Sequence, residues 1–203
     1  MEYVHHLVLL CGVFIILAVS LNLINGISGQ FSLGHAGFWA VGAYTGAAYS
    51  VFCPLPVPDF VNLFISCGLG FIAAAAAGAI IGIPCLRLRG DYLAMATLGF
   101  GEIIRIQINN MDIVGGPRGF TDIPKWSNIF WVYFWVVVVL IFCANLLRGT
   151  HGRAIISIRE DEIASESMGV NTFKYKTLAF IFGAGFAGLA GPLYAHAQQF
   201  LHP

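Results

Sequence analysis

Residues 148–176, RGTHGRAIISIREDEIASESMGVNTFKYK, form a charged and helix-forming island in a chain that is otherwise mostly apolar. Segments apolar enough to cross a bilayer flank it on both sides. A polar helix between two such segments cannot lie in hydrocarbon, where ionised side chains are costly. The pattern therefore predicts an amphipathic helix at the membrane surface, accessible to a partner in the aqueous phase.

The composition is that of an integral membrane protein. Of the 203 residues, 58% are hydrophobic and only 10% are charged, and the mean hydropathy is +0.81. Soluble domains carry about 25% charged residues. The formal net charge is zero, which argues against nucleic acid as a partner.

About six runs approach the roughly 20 apolar residues that a transmembrane helix needs. They are residues 7–27, 33–53, 61–83, 92–110, 129–147 and 177–198. The second run is rich in glycine and the fourth contains Glu102 and Arg105, so either could be broken or re-entrant. The predicted fold class is all-α, a polytopic integral membrane protein in which residues 1–203 form a single transmembrane domain.

The positions of the basic residues predict the orientation, because loops rich in Lys and Arg stay in the cytoplasm. The two basic loops contain Arg87 and Arg89, and then Arg148, Arg153, Arg159, Lys174 and Lys176. Two predicted spans separate these loops, so both can be cytoplasmic. The N-terminus and residues 111–128 are then expected outside.

Within the island, residues 153–168 are predicted to form one amphipathic helix. The residues expected towards the membrane are Ile155, Ile158, Ile163 and Ala164, and those expected in water are Glu160, Asp161, Glu162 and Glu166. Gly169 can take a positive φ just after the helix, and Asn171 or Thr172 can cap the next one. A surface connector that binds no partner is the alternative interpretation.

Polar side chains in the apolar runs are candidates for a translocation path. Glu102 falls near the bilayer midplane, and Arg105 at i+3 can pair with it. The pair either borders a polar path or is a structural ion pair that faces another helix. Gln30, Ser32 and His35 open the second run and could line a polar vestibule.

Motifs for catalysis are missing from the sequence. It contains no Walker motif, H-E-x-x-H or G-x-S-x-G, and its five cysteines have no C-x-x-C spacing. We therefore expect neither a catalytic site nor a metal site, and no cofactor.

Four stretches resemble the LivM-type permeases of branched-chain amino acid ABC transporters. They are GISGQFSLGHAGFWAVGAYTGA (26–47), CLRLRGDYLAMATLGFGEIIRI (85–106), NNMDIVGGPRGF (109–120) and GRAIISIREDEIASESMGVNTFKYKTLAF (152–180). They occur in the same order as in that family and cover nearly the whole chain. The RLRGDYLAMATLGFGEI and IREDEIASESMG blocks are the most specific.

The resemblance implies a non-catalytic permease subunit of an importer in the bacterial inner membrane. The implied partners are two cytoplasmic ATPases, a second homologous permease, an external binding protein and membrane lipid. Residues 148–176 would be the cytoplasmic coupling loop. The residues implied to contact the ATPase are Arg159, Glu160, Asp161, Glu162, Ala164, Ser165, Glu166, Gly169 and Asn171. In the family's E-A-A-x-x-x-G motif, the acidic first position corresponds here to Ile163.

Several alternatives remain open at this stage. The cargo implied is a branched-chain amino acid, and permeases for urea or short amides share the same blocks. An ion-coupled secondary transporter and a non-transporting scaffold are more distant alternatives. Family members usually have one more span before residues 7–27 and continue well past residue 203. The resemblance therefore predicts that this chain is a fragment or a truncated reading frame.

Overall fold

A computed structural model describes residues 2–86, 88 and 90–202 of the chain. Arg87 and Arg89, which belong to the first predicted basic loop, lie outside the described residues. The helices are α1 Glu2–Asn22, α2 His35–Phe52, α3 Asp59–Cys85, α4 Asp91–Asn109, α5 Ile129–Arg148, α6 Thr150–Glu160, α7 Glu162–Ser167 and α8 Thr172–Gln198. A π turn, Leu23–Ile27, continues α1. Among the described residues, the β structure is an isolated bridge between Phe120 and Leu201.

Four helical segments are long and apolar enough to cross a membrane. They are Tyr3–Ile27, Asp59–Cys85, Ile129–Arg148 and Thr172–Gln198. The glycine-rich α2 and the charged α4, which correspond to the two weaker predicted spans, are not among them. The predicted all-α, multi-pass architecture is confirmed, and each of the six apolar runs forms a helix.

Helix α8 is the centre of the bundle. In its most apolar window 78% of the residues are buried inside the molecule, against 22% to 39% for the other three spanning segments. It packs against α1, α2 and α3. The outer helices direct large apolar side chains such as Phe14, Ile80 and Ile141 away from the protein, as helices in contact with lipid do.

The backbones of α2, α3 and α8 come unusually close because their contact surfaces consist of glycines. A Cβ atom on Gly42 would lie within 3.0 Å of the Gly188 carbonyl oxygen, and one on Gly191 would lie within 3.0 Å of the Ala43 amide nitrogen. A Cβ on Gly70 would be 2.7 Å from the same Gly188 oxygen. Small residues allow this approach, which supplies the van der Waals packing that holds helices together in lipid.

The connections between helices gather at two ends of the bundle. At one end, the segment between α1 and α2 contacts α6 and the start of α8. At the other end, His196 Nδ1 lies 2.8 Å from the Pro124 carbonyl oxygen, and the Ser127 hydroxyl donates to the Leu193 carbonyl oxygen at 2.9 Å. Helix α3 runs antiparallel to α8, because Gly82 lies against Phe180 and Gly70 against Pro192. Helices α3 and α5 therefore end at the same end of the bundle, as the predicted topology requires. Which end is cytoplasmic stays a prediction.

The predicted single helix over 153–168 is wrong, because the chain breaks at Asp161. This residue is extended (φ −152°, ψ 109°), and its side chain accepts a hydrogen bond from the Ala164 amide at 2.9 Å. Aspartate is a favoured N-cap because its carboxylate satisfies a free amide of the first turn. The segment therefore forms two helices, α6 and α7. We call residues 149–171, which contain both helices, the elbow.

The exit from the elbow follows the prediction. Gly169 has φ +85°, and the Val170 amide donates to the Ser165 carbonyl oxygen at 3.1 Å. This is a Schellman ending, for which glycine is the favoured residue. The Asn171 side chain accepts from the Lys174 amide and caps α8.

The break at Asp161 also changes which side chains of the elbow are covered. Ile155 and Ile158 of α6 are buried by the protein, whereas Ile163 of α7 is 73% exposed. The four residues predicted to lie towards the membrane therefore do not share one environment, because Ile155 and Ile158 pack against the protein, while the orientation of Ile163 and Ala164 towards the membrane stays a prediction. In α7 the buried residue is Ser165.

The glycine contact predicts opposite effects for two substitutions in α3. We expect Gly70→Ala to lower the stability of the purified protein by about 1–3 kcal/mol, as overpacking does, because the new methyl group meets Gly188 and Pro192. Gly68→Ala is the matched control, since nothing lies within 4 Å of its Cβ position, and alanine favours the helix. Thermal unfolding in detergent measures both variants. Equal melting temperatures would contradict the packing argument.

Candidate functional site: a polar joint beneath the elbow

The connection between α1 and α2, residues 23–34, is an irregular segment that we call the joint. It starts with the π turn, in which the Ser28 amide donates to the Leu23 carbonyl oxygen at 3.2 Å. The Ser28 hydroxyl donates to the Ile24 carbonyl oxygen at 2.7 Å. Turns of this type are rare and occur frequently at functional sites.

One side chain of the joint itself and one of α4 satisfy the backbone of the joint. The Asn25 side chain donates to the Ser32 carbonyl oxygen at 3.3 Å and accepts from the Ser32 amide at 3.2 Å. The Leu33 amide donates to the Thr97 hydroxyl oxygen at 3.1 Å. Irregular backbone is tolerated at membrane depth only where protein or a cavity surrounds it, and these bonds meet that condition.

Arg159, near the end of α6, connects the elbow to the joint. Its Nη1 donates to the Gly26 carbonyl oxygen at 3.1 Å, and its Nε donates to Glu160 Oε1 at 3.1 Å. The methylene stem lies over Gly29, where φ is +68° and an added Cβ would be 2.8 Å from Arg159 Cγ. Glycine is therefore required at position 29 both by the backbone angle and by the arginine above it.

A second connection joins α7, α8 and the joint. Lys176 Nζ lies 2.7 Å from Glu162 Oε1, and the two side chains are only 20% and 32% exposed. The Gln30 side-chain amide donates to the Lys176 carbonyl oxygen at 3.0 Å. A chain of polar contacts therefore runs from α7 through the first turns of α8 to the joint.

Of the predicted path residues, Gln30, Ser32 and His35 are buried within and beside the joint. His35 Nε2 lies 2.9 Å from the Ser20 hydroxyl. Gln30 Oε1, Ser32 Oγ and His35 Nδ1 have no hydrogen-bond partner in the described part of the chain. Their role in a path stays a prediction.

The other two predicted path residues, Glu102 and Arg105, are brought together on α4. Their side chains form a salt bridge of 2.9 Å and are 54% and 63% exposed. They line a cavity of about 290 Å³ between α2 and α4, whose wall also includes Trp39 and Tyr44. Gln30, Ser32 and His35 are not part of this wall, so the structure separates the five predicted residues into two groups.

A second cavity of about 440 Å³ adjoins the first and shares Trp39, Ala40, Tyr44 and His202 with it. It extends the concave surface towards Tyr194 of α8. Sequence reasoning missed Trp39 and Tyr44. The available signal was two large aromatic residues inside a glycine-rich run that otherwise favours tight packing.

The comparisons with known proteins agree on one family. Residues 3–203 match the family described as branched-chain amino acid transport system / permease component. The chain is 40% identical to the high-affinity branched-chain amino acid transport system permease LivM of Salmonella typhimurium and to that of Escherichia coli. Each match covers 94% of this chain and 52% of the relative.

A more distant relative is named for another cargo. The chain is 27% identical, over 84% of its length and 55% of the relative, to a putative glucose ABC transporter permease of Haloferax volcanii. No solved structure matches the chain.

These matches and the spanning helices together assign the chain. It spans about half the length of the curated relatives named above. The family resemblance stated from the four sequence blocks is confirmed, as is the expected location in a membrane. The chain belongs to the permease component family of branched-chain amino acid transport systems and is a multi-pass membrane protein.

Proposed function

We propose that the chain is part of the permease of an ABC importer for branched-chain amino acids in the bacterial inner membrane. The observation that carries this proposal is the elbow, which offers an exposed surface and is bonded to a buried joint. The 40% identity to LivM proteins supports the cargo. The permease itself is non-catalytic, and ATP hydrolysis takes place in separate subunits.

The exposed side of α7 is the proposed docking surface for the ATPase. Ile163 is 73% exposed and Met168 is 84% exposed, while Glu160 and Glu166 add negative charge beside them. Apolar side chains at the end of the bundle that carries the basic loops lie beyond the hydrocarbon core, so a protein partner is needed to cover them. An ATPase groove with apolar and basic residues would be complementary to this surface.

The residues implied as ATPase contacts divide into two roles. Glu160, Asp161, Ala164 and Glu166 are exposed and can contact a partner. Arg159, Glu162 and Asn171 instead hold the elbow to the joint and to α8, and Ser165 is buried. Gly169 provides the turn between α7 and α8.

The transmission step follows the bonds described above. When the ATPases close on ATP, they move the elbow, and Arg159 and Lys176 move the joint with it. The joint in turn contacts α4 through Thr97, next to the α2–α4 cavity. A partner shifts the equilibrium between two conformations of the permease only if it binds one of them more tightly than the other. The elbow is the surface through which the ATPases would distinguish the two conformations.

The complete importer would contain two ATPases, a second homologous permease and an external substrate-binding protein. Deletion of this chain should abolish high-affinity uptake of L-leucine by the host cell. An importer of urea or short amides is the alternative on the same architecture, and loss of urea uptake with unchanged leucine uptake would favour it.

We expect Ile163→Glu to reduce co-purification of the ATPase with the permease at least tenfold, because it places a charge in the proposed apolar contact. Ile113→Glu is the matched control, since Ile113 is 71% exposed at the opposite end of the bundle. Affinity purification of the permease followed by quantification of bound ATPase tests both variants. Equal recovery of ATPase from the two would contradict docking at α7.

We expect Arg159→Ala to leave the ATPase bound but to separate ATP hydrolysis from uptake, because the elbow loses its bond to Gly26. Arg153→Ala, six residues earlier on the same helix and also exposed, should behave like the unmodified protein. The ratio of leucine imported to ATP hydrolysed in proteoliposomes is the measurement. An unchanged ratio in Arg159→Ala would rule out this transmission route.

The predicted orientation places Ser157 of α6 in the cytoplasm and Thr121 outside. In a background where the exposed Cys11 and Cys53 are replaced by serine, a membrane-impermeant maleimide should label Thr121→Cys in intact cells. It should label Ser157→Cys only after permeabilisation. Labelling of Ser157→Cys in intact cells would invert the topology and exclude an ATPase at the elbow.

A further inference from the structure

The sequence predicts that α4 enters the bilayer, where the Glu102–Arg105 pair would need a polar neighbour. Glu102 is eleven residues after Asp91, the start of α4, which places it about 16 Å along the helix. The hydrocarbon core is about 30 Å thick. Both side chains are more than half exposed, and ionised groups that face lipid at mid-depth are costly and rare. This face of α4 therefore borders either a polar space or another protein.

The walls beside this pair contain polar atoms without partners. Trp39 Nε1 and Tyr44 OH are buried and make no hydrogen bond within the described part of the chain. Tyr44 is only 7% exposed, yet it lines both adjoining cavities. Buried polar groups are almost always hydrogen-bonded. Trp39 Nε1 and Tyr44 OH are therefore available to form hydrogen bonds with a ligand or with water.

The shape of the surface favours a small ligand over a second helix. The cavities of about 290 and 440 Å³ share part of their walls, and small-molecule sites are concave spaces of about 300–1,000 Å³. Their wall combines the cation of Arg105, the anion of Glu102, the His202 imidazole and several aromatic rings, among them those of Trp39, Tyr44 and Tyr194. Trp39 and Tyr194 hold each other edge to face at 4.9 Å, so this aromatic part is already ordered.

We propose that the α2–α4 cavities bind the zwitterion of an apolar α-amino acid during translocation. Arg105 binds the carboxylate, Glu102 binds the ammonium group, and Trp39, Tyr44 and Tyr194 contact the side chain. The ion pair has no net charge, as the zwitterion has none, so binding exchanges one salt bridge for two without leaving a charge unpaired. This inference rests on the proposed function and specifies the cargo chemistry of the same permease.

The test is L-leucine binding to the assembled membrane complex without its binding protein, measured with radiolabelled leucine in nanodiscs. Competitors are 3-methylbutylamine, which is leucine without the carboxylate, and 4-methylpentanoate, which is leucine without the ammonium group. In the unmodified protein, leucine should compete at least tenfold better than either, because a hydrogen bond to a charged group is worth about 1.5–3 kcal/mol.

The two charge-removing variants should change this order in opposite ways. Arg105→Gln should bind 3-methylbutylamine with the same affinity as leucine and should still bind 4-methylpentanoate more weakly. Glu102→Gln should bind 4-methylpentanoate with the same affinity as leucine and should still bind 3-methylbutylamine more weakly. Tyr44→Phe should weaken leucine binding about threefold to tenfold, as loss of a single hydrogen bond does. Arg153→Gln, on the elbow and outside the proposed docking surface, is the charge-matched control and should leave the order unchanged. A variant that only damaged the fold would weaken all ligands alike.

Three results would overturn the inference. If both charge variants keep the unmodified order of competitors while the cells still import leucine through this chain, the site is elsewhere and the proposed function stands. If the variants instead release the second permease from the complex, the ion pair is a subunit contact. If leucine import does not depend on this chain at all, the proposed function fails and the inference fails with it.

Discussion

The structure depends on the close approach of three backbones at Gly42, Gly70 and Gly188. Lipid tails are as apolar as leucine, so burial of apolar surface does little to hold these helices together, and packing distance becomes decisive. With glycine at each contact, α8 fits between α2 and α3 and becomes the most buried of the spanning segments. The outer helices can then expose bulky side chains to lipid without weakening the centre.

This rigid centre determines which parts of the molecule can move. Helix α8 is locked along most of its length, but its first turns carry Lys176 and connect to both the elbow and the joint. Leu23 and Ile24 of the joint are fully buried, and the stretch that follows them is held by hydrogen bonds. Segments of this kind open at lower free energy than a packed core. The polar residues of the joint therefore lie in a part of the fold that can change conformation at a lower free-energy cost than the packed centre.

The sequence predicted the helices well because apolar run length is a strong signal in membrane proteins. The first and last residues of all six predicted runs lie within a few residues of the ends of an observed helix. The break at Asp161 was missed because its neighbours Glu160 and Glu162 continue the helical charge pattern, and only the local cap bond distinguishes it. The cavity residues Trp39 and Tyr44 were missed for a different reason. Their unpartnered atoms depend on the packing of α2 against α4 and α8, which no local pattern encodes.

The π turn at Leu23–Ile27 has a mechanical consequence. A π turn hydrogen-bonds one residue further back than an α turn, so it holds a surplus residue at the end of α1. Returning that residue to α geometry would rotate the following segment by about 100° and advance it by about 1.5 Å. Such a step would move the Gly26 carbonyl oxygen away from the Arg159 guanidinium, which donates a hydrogen bond to it. An advance of about 1.5 Å in the joint would thus change which of its side chains face the interior.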